Sequence, residues 1–297
     1  MNLAARPTFR FAPSPNGALH LGHAYSALMN QRLAGEAGGR LLLRIEDIDL
    51  TRCKPEFETA MREDLDWLGI AFSEEPRRQS KHLDDYADAL AALEARGLVY
   101  PCHCRRAEIA RSNCGLRDPD GAPLHRGRCV AVPAVEAGRR AAAGERSAMR
   151  LDVSRALSSL AAPLTWREFG EGARERIVAA DPAAWGDVAL RGRGQPANYH
   201  LAVVVDDALQ EIGDVVRGRD LYAATSVHRL LQALLGLPEP RYRHHRLVLD
   251  ANGDKMSKSA SSTPLRVLRE AGFAAGELRS ALGFGATAAS GLAVRFS

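Results

Sequence analysis

Arg10-Phe-Ala-Pro-Ser-Pro-Asn-Gly-Ala-Leu-His20-Leu-Gly-His23 is the stretch that decides the fold. Thr8 to Ala12 reads as a short strand, broken by Pro13 and Pro15 and then by Gly17. From Leu21 onward the apolar residues Leu21, Ala24, Tyr25, Leu28 and Leu33 recur near helical spacing. Strand, tight loop and helix start therefore follow one another, and a helix start presents unpaired N–H groups to a phosphate. His20 and His23 fall on one face of the first turn, where imidazoles can donate hydrogen bonds to a phosphoryl group as charge moves. Gly22 between them lets a flat base approach the backbone. Taken alone, the same residues also describe a helix cap with two surface histidines.

A second stretch, Lys255-Met-Ser-Lys-Ser259, lies far downstream. Only four of the 40 lysines and arginines are lysines (Lys54, Lys81, Lys255 and Lys258), and two of them fall in this window. Lysine places a compact, mobile point charge, suited to following a departing pyrophosphate, where arginine presents a rigid fork. The flanking Asn252-Gly253-Asp254 and Ser257, Ser259, Ser261 and Ser262 read as a loop. Between the two stretches, Arg10 and Arg217 can each pair bidentately with a carboxylate. Glu46, in Arg44-Ile-Glu-Asp47, can accept from an ammonium group, and Tyr199 follows Asn198 at the start of an apolar run, Leu201 to Val205.

This pair of motifs, in this order, resembles the HIGH and KMSKS signatures of class I aminoacyl-tRNA synthetases. Arg-Phe-Ala-Pro-Ser before the first motif and Arg44 to Asp47 after it narrow the resemblance to the glutamyl branch, and it covers nearly the whole chain. The resemblance implies a fold and a set of roles. The fold is an α/β, doubly wound, Rossmann-like parallel sheet split by a zinc-binding insertion. Arg10, Phe11, Ala12, Pro13, Ser14, Glu46, Tyr199 and Arg217 match the glutamate-binding positions. His20, Gly22, His23 and Lys258 match the ATP-binding ones, and His20, His23, Lys255 and Lys258 are the residues expected to catalyse, on ATP accompanied by Mg2+.

Four cysteines and two histidines lie within residues 102–129: Cys102-His-Cys104, Cys114 and His125-Arg-Gly-Arg-Cys129. In a reduced compartment they suggest one structural, tetrahedral zinc ion. The expected ligands are Cys102, Cys104, His125 and Cys129, with Cys114 as the replacement for one of them. Glutamyl-queuosine enzymes carry a similar C-x-C…Y-x-x-x-C site in this insertion, and His125 stands at the tyrosine position.

The remaining elements form an α/β plan. Arg40 to Glu46, Leu98 to Cys102, Asp187 to Leu190, Leu201 to Val205 and Ile212 to Val216 read as strands. Pro55 to Trp67, His82 to Leu93, Leu221 to Leu235, Pro264 to Ala271 and Gly276 to Leu282 read as helices, and residues 113–180 as irregular. The expected segments are a first half of the catalytic domain at 1–97, an insertion at 98–180, a second half with the KMSKS-like loop at 181–262, and a short helical tail at 263–297.

After Ser259 too little chain remains for an anticodon-binding domain, since an independent domain needs about 50 residues or more. This points to the short glutamyl-queuosine branch of the family. The implied activity is activation of glutamate as its adenylate and transfer to the queuosine base at the wobble position of tRNA(Asp). Three alternatives are a minimal synthetase charging a tRNA 3′ end, a HIGH-type small-molecule adenylating enzyme, and a non-catalytic tRNA-binding module. A net charge of +4 and a pI near 8.9 permit tRNA binding without a basic tail. No apolar run reaches the ~20 residues of a membrane span, and no signal segment opens the chain. A cytoplasmic monomer is expected.

Overall fold

The computed structural model describes residues 6–112, 115–127, 133–170, 175–250, 253, 256, 263–285, 292 and 294–297. Along the chain the first elements are β1 (Thr8–Phe11), α1 (Leu21–Glu36), β2 (Arg40–Ile45), α2 (Pro55–Trp67), β3 (Arg77–Arg78), α3 (Leu83–Ala95) and β4 (Val99–Cys102). There follow α4 (Arg106–Ser112), α5 (Ala134–Ala142), β5 (Ala148–Leu151), α6 (Val153–Ser158), β6 (Thr165–Phe169), β7 (Glu175–Ala179), β8 (Ala189–Arg191) and α7 (Tyr199–Leu209). The last are β9 (Asp214–Gly218), α8 (Thr225–Leu235), β10 (Arg241–His245), β11 (Val248–Leu249), α9 (Leu265–Glu270), α10 (Ala275–Ala281) and β12 (Arg295–Phe296). The chain folds as two compact units, residues 1–81, 211–222 and 240–297 in one, and 82–210 and 223–239 in the other.

In the first unit β1 and β2 pair in parallel, Thr8 opposite Arg40 and Phe11 opposite Leu43. A parallel pair needs a crossover, and α1 supplies it. β3 continues beyond β2 in parallel, and β9 pairs in parallel with β10. The N–H of Gly213 donates to the Thr8 carbonyl at 3.1 Å, which sets the start of β9 beside β1. β1, β2 and β9 are largely apolar and buried on both faces, as expected of a parallel sheet covered by helices. Fully buried Asn30 of α1 donates to the Val216 carbonyl at 3.1 Å, tying the helix to β9.

Asp64 of α2 is wholly buried, and neither carboxylate oxygen has a hydrogen-bond partner among the described residues. Arg269 of α9 lies 3.7 Å from it. Burial pushes its carboxyl up to about 6, with Arg269 opposing. Between about pH 4 and 6 the folded protein therefore holds a proton that the unfolded chain releases. Stability contributed by this group falls as pH rises through that window and is level above it. Asp64→Asn is expected to flatten that slope and raise the melting temperature at pH 8 by a few degrees. Parallel pH profiles of wild type and variant in thermal unfolding would refute the assignment.

In the second unit β4, β5 and β8 form an antiparallel sheet, and β6 and β7 a hairpin with Thr165 opposite Ala179 and Phe169 opposite Glu175. α3, α7 and α8 pack together, and the buried Tyr86 hydroxyl donates to Asp206 at 3.0 Å. Two expectations need correction here. Leu201 to Val205 is not a strand: it is the middle of helix α7, buried on every side. A short, uniformly apolar run carries no period, so spacing alone cannot tell a buried strand from a buried helix. Residues 113–180 are not mainly irregular, since they hold α5, β5, α6 and the β6–β7 hairpin. Among the described residues no helix is long and apolar enough to cross a membrane.

Candidate functional site

His20 is the N-cap of α1, in extended conformation, and its Nδ1 accepts from the Gly22 N–H at 3.1 Å. His23 reaches back, its Nδ1 accepting from the His20 N–H at 3.2 Å. The two histidines form a reciprocal capping box, the role a serine and a glutamate usually fill. With each Nδ1 accepting, the ring proton of a neutral imidazole sits on Nε2. Two N–H donors, with ring centroids 3.9 Å apart, thus accompany the first turn of a helix. A β-carbon at Gly22 would meet the His20 ring at 3.0 Å, so glycine here also makes room for the capping imidazole.

Arg10 on β1 and Arg217 on β9 are 4% and 5% exposed, and their strands lie side by side. The Arg217 guanidinium sits over the Tyr242 ring, 5.4 Å from its centroid, and Nε donates to His244 Nε2 at 3.2 Å. The Glu46 N–H donates to the Pro13 carbonyl at 3.1 Å, joining the end of β2 to the turn after β1. Its carboxylate receives the fully buried Arg44 at 3.2 Å. Asp47 serves the scaffold, accepting from the Ser80 N–H and hydroxyl, both at 2.8 Å, and from Arg78 at 2.9 Å. Phe11 is buried in the core, while Ala12 and Ser14 are half-buried.

The first unit therefore carries Arg10 to Ser14, His20, Gly22, His23, Glu46 and Arg217. Two basic forks on adjacent strands, a carboxylate and a helix N-terminus with imidazole donors suit an amino acid with an extra carboxylate and a phosphoanhydride. Lys255 and Lys258 lie outside the described residues. Tyr199 belongs to the second unit, where it is the first residue of helix α7 after its N-cap Asn198, not the start of a strand. Its ring lies 5.5 Å from those of His200 and His228, which are themselves bonded at 3.1 Å.

Three of the four expected zinc ligands come together in the second unit. One donor atom each from Cys102, Cys104 and His125 lie within 4.8 Å of one another, all three residues buried; Cys129 and Cys114 lie outside the described residues. Cys102 Sγ and His125 Nε2 are 3.4 Å apart. A tetrahedral zinc with bonds of about 2.3 Å to sulfur and about 2.0 Å to nitrogen would set that edge at about 3.5 Å. Burial pushes the His125 imidazole down to about 4, so at neutral pH it is the neutral, ligating form. Tyr100 bridges the other ring nitrogen, 3.3 Å from its hydroxyl, to Asp187, to which the hydroxyl donates at 2.6 Å. Burial and that bond to Asp187 push the Tyr100 phenol up, so the bridge stays protonated.

Arg44, His244, Tyr100 and Asp187 were not singled out by the sequence. Arg44 belongs to the Arg44 to Asp47 motif, but its place in a strand does not reveal that its side chain holds Glu46. His244 stands in an Arg-rich run without a motif, and Tyr100 and Asp187 gain their roles only by meeting across the fold.

A parallel α/β sheet whose first strand turns into a histidine-capped helix start is the arrangement expected of a class I aminoacyl-tRNA synthetase. The chain belongs to the family of class I tRNA synthetases (E and Q), catalytic domain, whose model matches residues 8–289. It is thus an enzyme of the ligase class. A glutamyl-Q tRNA(Asp) synthetase of Rhodobacter capsulatus is 40% identical, over 92% of this chain and 99% of its own length. Glutamate–tRNA ligase 2 of Syntrophus aciditrophicus is 35% identical over 91% of this chain, which spans 55% of that ligase. Among solved structures, a glutamate tRNA ligase from Elizabethkingia meningosepticum in complex with its amino acid shares the fold. Its TM-score is 0.72 at 24% identity, and the match covers 93% of this chain and 60% of that one.

Proposed function

We propose that this enzyme activates glutamate with ATP and Mg2+ and transfers it to the queuosine base at the wobble position of tRNA(Asp). The observation that carries this reading is the 40% identity to the Rhodobacter glutamyl-Q enzyme over 99% of that relative's length. The buried Arg10 and Arg217 and the Arg44-held Glu46 support glutamate as the amino acid. Tyr199 is a further glutamate-binding residue on the family resemblance.

No protein nucleophile is needed. The α-carboxylate attacks the α-phosphorus of ATP, forming glutamyl-adenylate and releasing pyrophosphate. Alignment and stabilisation of developing charge then make up the catalysis. The Nε2–H groups of His20 and His23, the start of α1, and Lys255 and Lys258 supply them. A cyclopentene-diol hydroxyl of queuosine next attacks the adenylate carbonyl, and AMP leaves. Cys102, Cys104, His125 and Cys129 would hold a structural zinc ion, whose contribution would be to the stability of the second unit and not to the chemistry. Lys258→Ala is expected to cost about a hundred-fold or more in ATP–pyrophosphate exchange with the glutamate dissociation constant nearly unchanged. An unaltered exchange rate would remove Lys258 from this role.

The test of the acceptor is transfer of labelled glutamate to tRNA(Asp) with and without queuosine, each with and without its terminal adenosine. Removing the adenosine is preferable to periodate, which would also cleave the cyclopentene diol. Labelling that requires queuosine and tolerates loss of the 3′ adenosine supports the proposal. Labelling that ignores queuosine and requires the 3′ end would make the protein a minimal glutamate–tRNA ligase.

A further inference from the structure

His244 takes no part in the functions assigned so far, yet its position relative to Arg217 is specific. The two residues face each other directly in the parallel register of β9 and β10. His244 Nε2 lies 3.2 Å from Arg217 Nε. An arginine Nε–H can only donate, so the imidazole nitrogen facing it is the acceptor and the ring proton is on Nδ1. Aromatic neighbours define the ring plane. His244 stacks parallel to Tyr242, 2° between planes, with Tyr222 edge-on at 5.0 Å. Arg217 lies over the same Tyr242 ring, which is 1% exposed. The guanidinium is thus held by a cation–π face below and by a hydrogen bond at Nε.

We infer that His244 is a positioning residue for glutamate recognition: it commits Nε of Arg217, so that the substrate's side-chain carboxylate is met end-on by the terminal amino groups. The inference rests on the reading of Arg217 as a glutamate-binding residue and assigns it the side-chain carboxylate. A guanidinium can meet a carboxylate bidentately along two edges, one using Nε and one using only the terminal nitrogens. A bond at Nε selects the second edge and removes the rotational freedom that ligand binding would otherwise have to freeze out. The effect belongs to binding and to discrimination by charge, with little on the phosphoryl step.

The test is ATP–pyrophosphate exchange in the full-length enzyme at varied glutamate, for wild type, H244L, H244Q, R217A and the H244L/R217A pair. Thermal unfolding of each variant serves as a fold control. H244L is expected to raise the glutamate KM about ten-fold, the weight of one hydrogen bond to a charged group, with kcat changed less than about two-fold. Glutamine offers an amide oxygen to Arg217 Nε, and H244Q should restore most of the loss. In the R217A background H244L should add nothing, because its route of action is gone.

R217A raising KM while H244L does not would overturn the positioning role and leave glutamate recognition by Arg217 standing. R217A leaving KM unchanged would overturn the reading of Arg217 itself, and with it the inference. An equal KM rise from H244L in both backgrounds would show a role independent of Arg217 and would also overturn it.

Discussion

Arg217→Ala is expected to lower kcat/KM for glutamate in ATP–pyrophosphate exchange by about two to three orders of magnitude. Removing one member of a desolvated, hydrogen-bonded charge pair costs about 2–5 kcal/mol, and each ~1.4 kcal/mol is ten-fold. Arg217 is 5% exposed, flanked by Tyr242 and His244 and placed on the strand beside Arg10, so little water can replace its contacts. Most of the effect should fall on KM, because the side-chain carboxylate is bound alike in ground and transition states. Arg217→Lys separates fork from charge: a lysine keeps the charge but not the bidentate geometry, and should recover only part of the loss. Glutamine as competing substrate gives the complementary readout, since without Arg217 the preference for a charged side chain should shrink. Exchange kinetics indistinguishable from wild type in Arg217→Ala would remove glutamate side-chain recognition from this residue.

The proposed zinc site is expected to hold one ion per chain, and Cys102→Ser to empty it and lower the melting temperature by about 10 °C or more. Structural zinc contributes folding free energy directly, because the unfolded chain has no preformed site. At about 2–4 °C per kcal/mol for a domain of this size, loss of only a few kcal/mol reaches that shift. Cys102 and His125 are spaced as two corners of a zinc tetrahedron, and Tyr100 and Asp187 hold the imidazole from behind. Outer partners of this kind fix ring orientation and strengthen a histidine ligand. Tyr100→Phe should therefore weaken zinc retention against a chelator while leaving the ion bound in its absence. Elemental analysis and thermal unfolding decide the matter together. A zinc-free wild-type protein, or a Cys102→Ser variant that melts with wild type, would make the three side chains an ordinary buried cluster.

Much of this was legible in the chain. Pro13, Pro15 and Gly17 break a buried strand, and α1 begins at Leu21, where the spacing puts it. Helix α2 runs from Pro55 to Trp67 as read, opened by proline, whose missing N–H costs nothing at a helix start. The failure at Leu201 to Val205 has a definite cause: Leu-Ala-Val-Val-Val shows no polar face, so neither period is visible. The hairpin β6–β7 was hidden by charge. Thr165-Trp-Arg-Glu-Phe169 alternates, but Glu168 is a buried carboxylate satisfied by the Trp166 indole N–H at 3.0 Å, a pairing that only the folded strand reveals.

Residue types and local spacing determined the two signature stretches, the histidine cap, the parallel α/β class and the Cys102, Cys104 and His125 donor set. Each follows from interactions within a few residues or from the chemistry of a donor set. Tertiary structure alone decided which side chains hold the functional ones: His244 on Arg217, Arg44 on Glu46, and Tyr100 with Asp187 on His125. These pairings join strands and loops distant in sequence. A hydrogen-bond partner leaves no periodic trace, because its spacing is set by the register between strands and not by the pitch of any one element.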